Sequence, residues 1–298
     1  MSKFHSLLFR AAFILLLFIS FLGCRKKDPG SDIVVKFASV PVSKAIQPGI
    51  IDEASGIADS KANAGYLWVE QDSGNPGDII LLSYAGEVFK RINIRSAINR
   101  DWEDIAAGNG PVAGTNYIYL ADIGDNNKVF TQYLIYRFPE PLATTDTVSV
   151  YDQIRFQYPD GSHDAEAILV DNASKDIYII TKQDALSRIY KLVYPQNTTA
   201  VNTAVYTGAL SFNGVVSAAS SGAGDELLIK TYTSLYYWKK AASESIEQVL
   251  RKDPVALAYQ QEPQGEAVCF KNDNQGFYTL SERPSFVSSV NLNFYKRE

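Results

Sequence analysis

Short runs of strand-forming residues return along this chain at a period near fifty, and no other feature limits its fold so severely. Five of them begin at Tyr66 (YLWV), Tyr117 (YIYL), Ile177 (IYII), Leu227 (LLIK) and Phe277 (FYTL), at intervals of 51, 60, 50 and 50 residues. Upstream stand Glu53-Ala54-Ser55-Gly56, Glu103-Asp104-Ile105-Ala106, Glu166-Ala167-Ile168-Leu169 and Glu266-Ala267-Val268-Cys269, with Ser217-Ala218-Ala219 as a degenerate fourth copy. Downstream, third strand candidates lie at 79–84, 133–138, 187–193, 235–239 and 290–295. Fourth candidates follow at 87–94, 148–156, 204–210 and 246–250. Gly, Asn, Asp and Pro clusters separate the runs, as turns between short strands require.

Four antiparallel strands per unit, repeated radially, make a β-propeller. The fifth unit has no fourth run, and one run, 33–37, is left over at the other end. The ring is therefore predicted to have five blades, closed by 33–37 beside the strand ending at Tyr295. A sixth blade within the longer second interval is the alternative.

The first 23 residues read as an export leader: Lys3 and Arg10 precede an apolar stretch, Ala11 to Leu22, that is short for a membrane span. It ends in Phe21-Leu22-Gly23-Cys24, which resembles the lipobox of bacterial lipoproteins, whose cysteine is acylated and becomes the new N-terminus. The expected organisation is a signal peptide over 1–23, a tether over 24–32 and one propeller domain over 33–298. In the lipoprotein pattern, absence of Asp directly after Cys24 implies the outer membrane, facing the periplasm, with the lipid joining the protein to the membrane.

Composition restricts the chemistry. The net charge is −5 with no basic run in the body, which argues against a nucleic-acid partner. Of two histidines, His5 lies in the leader, so His163 is the sole imidazole of the mature chain and multi-histidine metal sites are excluded. Of two cysteines, Cys24 is the lipidation candidate and Cys269 is expected as a buried free thiol.

In a propeller the first strand of each blade lines the central channel, and the loop after the second strand returns to the face where the first began. Glu53, Glu103, Glu166 and Glu266 are therefore predicted to share a ring at one mouth. Asp52, Asp101, His163, Asp164 and Gln264 would stand on the entering loops, and Asp72, Asp122, Asp125, Lys182, Asp184, Tyr232, Glu282 and Arg283 on the returning ones. So many carboxylates require a bound cation, a basic partner or retained protons. Calcium, which takes oxygen ligands without histidine, is the cofactor expected, with the four Glu as ligands; no organic cofactor is. The bland alternative makes the repeated Glu an architectural residue bonded to a neighbouring blade. Asp72, Asp125, Lys182, Tyr232 and Arg283 differ between blades and are the candidate ligand-binding residues, while His163, Asp164, Lys182 and Arg283 are the candidates for catalysis.

The strings Asp101-Trp102-Glu103-Asp104, Asp122-Ile123-Gly124-Asp125-Asn126, Asp164-Ala165-Glu166-Ala167 and Gln264-Gly265-Glu266-Ala267 resemble the blade motifs of bacterial phytase-like and esterase-like propellers. That resemblance implies acidic channel residues holding calcium, with Lys182 and Arg283 gripping phosphate. Three functions stay open at this level: binding of a small-molecule or protein ligand, calcium-dependent phosphoester hydrolysis, and glycoside hydrolysis by paired carboxylates. No Gly-x-Ser-x-Gly elbow is present, which disfavours serine hydrolysis.

Overall fold

The computed structural model describes residues 35–298. After an edge strand, β1 (Val42–Ala45), blade one is formed by β2 (Ala54–Asp59), β3 (Tyr66–Gln71), β4 (Asp78–Ser83) and β5 (Val88–Ile94). Blade two holds β6 (Trp102–Asn109), β7 (Asn116–Asp122), β8 (Tyr133–Pro139) and β10 (Asp152–Gln157), with β9 (Thr147–Val148) in the connection before β10. Blade three holds β11 (Ala165–Val170), β12 (Ile177–Thr181), β13 (Arg188–Leu192) and β15 (Val205–Ala209), with β14 (Asn202–Thr203) preceding β15. Blade four holds β16 (Val215–Ser220), β17 (Glu226–Thr231), β18 (Leu235–Lys239) and β19 (Val255–Leu257), with one helical turn, α1 (Ile246–Val249), before β19. Blade five is β20 (Gln264–Phe270), β21 (Gly276–Glu282), β22 (Asn291–Lys296) and β1.

These five sheets, each built on antiparallel strands, are the predicted five-bladed propeller, and the described residues form no sixth blade. The second interval is longer because the β8–β10 connection detours: β9 pairs in parallel with β5 and widens blade one, just as β14 pairs with β10 and widens blade two. Val148 thus belongs to blade one's edge, not to the fourth strand of blade two. The inner strands β2, β11 and β16 are buried almost throughout, and apolar side chains of adjacent sheets fill each seam, as where Ile168, Tyr119 and Ile179 share one cluster.

Two sequence expectations are corrected. Residues 246–250 form a helical turn and not a strand: the Ser245 side chain accepts from Gln248 N–H while the Gln248 side chain accepts from Ser245 N–H, a capping box. Ile246, Val249 and Leu250 then share one buried face at helical spacing, and the edge strand falls to Val255–Leu257. The closing strand is likewise not 33–37, of which 33 and 34 lie outside the described residues. Val42–Ala45 pairs with β22, from Val42 opposite Phe294 to Ala45 opposite Asn291. Its four residues are all exposed, because an outermost strand contributes backbone hydrogen bonds and little core, so V-S-K-A carries no apolar signature. Phe37 instead makes a single bridge to Arg297 and buries its ring against Phe277, 4.9 Å between centroids. Arg297 stacks over Phe37 and donates from both terminal nitrogens to the buried Glu226 of blade four, at 3.0 and 2.8 Å, fastening the ring where its ends meet.

Candidate functional site: the acidic mouth

Each inner strand carries a register shift near its start, between Ala54 and Gly56, Trp102 and Asp104, Ala165 and Ala167, Val215 and Ser217, and Gly265 and Ala267. Such a bulge inserts one unpaired residue and re-aims its side chain. The inserted residues are Ser55, Glu103, Glu166, Val216 and Glu266, so these five are the true structural equivalents around the channel. Glu103, Glu166 and Glu266 stand where predicted, each no more than 4% exposed. Glu53 does not join them: it precedes β2, is exposed, and accepts a hydrogen bond at 2.5 Å from Asn75 Nδ2. Ser55 takes its place and donates to Glu103 Oε2 at 3.4 Å.

Two clusters converge on Glu103. In Asp72–Asp101–Glu103 and in Glu103–Asp164–Glu166, one carboxylate oxygen from each residue lies within 4.8 Å of the others. Asp101 and Asp164 come from the loops entering blades two and three, and Asp72 from the turn after β3. Asp164 Oδ1 accepts from Asp125 N–H at 2.8 Å, while its Oδ2 is buried with no hydrogen-bond partner. Gly124 crosses close above: a side chain there would overlap the Glu103 and Asp101 carboxylates. Oxygen-only donors and an orphaned carboxylate oxygen fit a hard divalent cation such as calcium.

Blade five contributes a different arrangement. Gln264 donates to Glu282, and Glu282 is pushed up to about 10 by burial and by the neighbouring Glu266 charge. The Tyr232 hydroxyl donates to Glu266 and accepts from Lys182 Nζ at 3.0 Å. Lys182 also donates to Glu166, and that carboxylate outweighs burial and raises the lysine. Burial pushes Glu103 well above its usual range, with the Glu166 charge adding to it, and holds Asp72 at about 6.

The remaining sequence candidates have structural partners. Asp125 accepts from Val129 N–H, Phe130 N–H and the Tyr133 hydroxyl at 2.8–2.9 Å, organising the loop after β7. Arg283 pairs with Asp52 across the seam between blades five and one, with Nε to Oδ1 at 2.7 Å. His163 is buried, with Nδ1 3.0 Å from Asp184 and Nε2 3.2 Å from Asp160 and 2.9 Å from the Tyr190 hydroxyl. Trp68 and Trp102 are fully buried and offer no stacking surface to a sugar.

Asp104, beside Glu103, was not singled out by the sequence. It is fully buried and accepts from Ile168 N–H at 2.9 Å, Ile105 N–H at 3.0 Å and the Ser217 hydroxyl, joining three blades below the mouth. Further in, a 40 Å³ cavity lined by Ile57, Ile105, Ile168, Ala218 and Cys269 has room for water alone. Cys269 is the expected buried free thiol.

No family model matches this chain, and no curated protein matches it in sequence. Solved structures do match its shape. The PQQ-bound aldose sugar dehydrogenase from Streptomyces coelicolor is 9% identical with a TM-score of 0.50, covering 88% of this chain and 100% of that one. A luciferin-regenerating enzyme is 12% identical, with a TM-score of 0.48 over 86% of this chain and 95% of that one. The likeness is one of fold: the chain is a β-propeller.

Proposed function

We propose that this protein is a lipid-anchored β-propeller of the bacterial cell envelope that binds a small-molecule or protein ligand at its acidic mouth through a divalent cation. The observation that carries the reading is the Glu103–Asp164–Glu166 cluster, in which a buried Asp164 oxygen has no partner of its own. An unpaired buried polar atom is costly, and a cation coordinated there satisfies it while relieving the repulsion between carboxylates. Lys182, held beside Glu166, gives an anionic group on the ligand a second point of attachment.

The envelope part rests on the leader and on Cys24, which lie outside the described residues. Changing Cys24 to Ala should leave unprocessed precursor; an unmodified Cys24 in the native protein would end that part of the proposal.

Calorimetry tests the cation. Calcium at a hundredfold excess over its dissociation constant should stabilise the native state by about 2.7 kcal/mol, and Glu103→Gln with Glu166→Gln should abolish that gain. Absence of calcium binding together with unfolding of the double variant would make these carboxylates architecture. Calcium-dependent release of phosphate from a phosphomonoester, lost in Lys182→Gln, would turn the binding reading into the phosphoesterase one.

A further inference from the structure

We infer that the face of the propeller opposite the acidic mouth docks on the lipid headgroups of the membrane, so that the anchored protein holds its mouth away from the bilayer. The inference rests on the lipid-anchor reading above and adds a surface and an orientation to it.

The described chain enters the ring on that far face. In blade five the pairing of Gln264 with Glu282 marks the mouth end, and the pairing of Gly276 with Lys296 marks the other. There Phe37 bridges Arg297, Ala38 N–H donates to the Lys296 carbonyl at 2.8 Å, and Glu298 N–H donates to the Lys36 carbonyl at 3.0 Å. The Phe37 ring, with centroids 4.9 Å from Phe277 and 6.2 Å from Tyr237, fixes the point of entry. Ten residues separate Cys24 from Val35, and at full extension they span about 35 Å. Passing alongside an inner strand such as Trp102–Asn109 takes up about 26 Å of that reach, before any loop of either face is rounded. A lipid joined through so short a segment keeps the far face near the bilayer and the mouth from reaching it.

Apolar side chains stand out from the turns of the far face: Val112 between β6 and β7, Leu142 between β8 and β9, and Val193 between β13 and β14, each more than half exposed. Such side chains can sink into the headgroup boundary. Apolarity does not choose the face by itself, since Ile98, Val129 and Phe286 are as exposed around the mouth. Charge separates the two. Carboxylates of the far face are matched by lysines beside them, Asp225 by Lys239, Glu244 by Lys252 and Asp273 by Lys271. The mouth instead gathers two carboxylate clusters that share Glu103, whose charge one divalent cation offsets only in part. An anionic lipid surface is therefore repelled by the mouth and accepts the far face. Arg25-Lys26-Lys27, directly after Cys24, adds basic residues where the headgroups lie.

The test is quenching by labelled lipid on the full mature protein, acylated at Cys24 and reconstituted into vesicles of phosphatidylethanolamine and phosphatidylglycerol. A fluorophore attached through Val112→Cys or Leu142→Cys should lose fluorescence to lipids that carry a nitroxide at the headgroup. One attached through Ile98→Cys or Phe286→Cys should keep it, and the buried Cys269 stays unlabelled. Labels quenched at the mouth alone, on both faces alike or on neither, in protein that stays with the vesicles, would overturn the docking and leave the anchor standing. Protein that carries no lipid and does not sediment with the vesicles would overturn both.

Discussion

Ser217 and Asp104 meet across the central channel although 113 residues separate them: the Ser217 hydroxyl donates to Asp104 Oδ1 at 3.4 Å and accepts from Val268 N–H at 3.3 Å. With Ile168 N–H also on Asp104, inner strands of four blades are linked by two side chains. The degenerate fourth repeat, which has no Glu, supplies instead the hydroxyl that its neighbours need.

Asp104→Ala should therefore be severely destabilising. It would strip buried donors on three blades of their acceptor at about 1–3 kcal/mol for each one left unsatisfied, and a loss on the order of 3 kcal/mol is expected in urea denaturation. A loss below about 1 kcal/mol, the scale of an ordinary surface substitution, would mean the hub contributes little.

The apo protein should be more stable at pH 5 than at pH 7.5. Burial raises Asp59 and Asp122 from 3.8 to about 6, so the folded state holds these protons more tightly than the unfolded chain. Their contribution is fully present below about pH 3.8 and is lost as pH rises through about 6, at about 3 kcal/mol for a group shifted this far. Thermal melts in a chelator across this range should show the decline, and Asp59→Asn should shrink it. A melting temperature that rises from pH 5 to 7.5 would contradict the burial argument.

Ser245→Ala should cost about 1 kcal/mol, because it removes the N-cap of α1. This turn is also where strand reading fails. Ile246, Val249 and Leu250 are apolar at either period over so short a run, and Ser245-x-x-Gln248 was the signal that could have decided it. Second and third strands were legible because their apolar runs are bounded by turn residues on both sides. The edge strand Val42–Ala45 was not, since it has no buried face.

The mouth was legible in kind but shifted in two blades, where Ser55 and not Glu53, and Val216 and not Ser217, are the equivalents of the repeated Glu. Glu53-Ala54 parallels Glu166-Ala167 and Glu266-Ala267 in sequence, yet the bulge aligns Ser55 with Glu166 and Glu266. The column two residues further on, Ile57, Ile105, Ile168 and Val268, carries the correct alignment because it fills the channel, whereas Glu53-Ala54 places Ser55 there. Asp101 and Asp164 were legible at the mouth, each two residues before its Glu, and Asp72 on a returning loop of the same face; what no spacing showed is that all three converge on Glu103.

Lys182 distinguishes a cation site from an architectural ring by the sign of its effect. Without calcium, Lys182 is the cation that compensates Glu166, and Lys182→Gln should lower stability by leaving a carboxylate only 3% exposed without its charge partner. With calcium, the same ammonium repels the ion at Glu103–Asp164–Glu166 and competes for Glu166. Removing it should then tighten calcium binding by about tenfold, or about 1.4 kcal/mol. Melts with chelator and with saturating calcium should therefore show Lys182→Gln less stable than the native chain in the first condition and closer to it in the second. An equal loss in both, with calcium affinity unchanged, would mean that no cation lies beside Glu166 and that the lysine serves the ring alone.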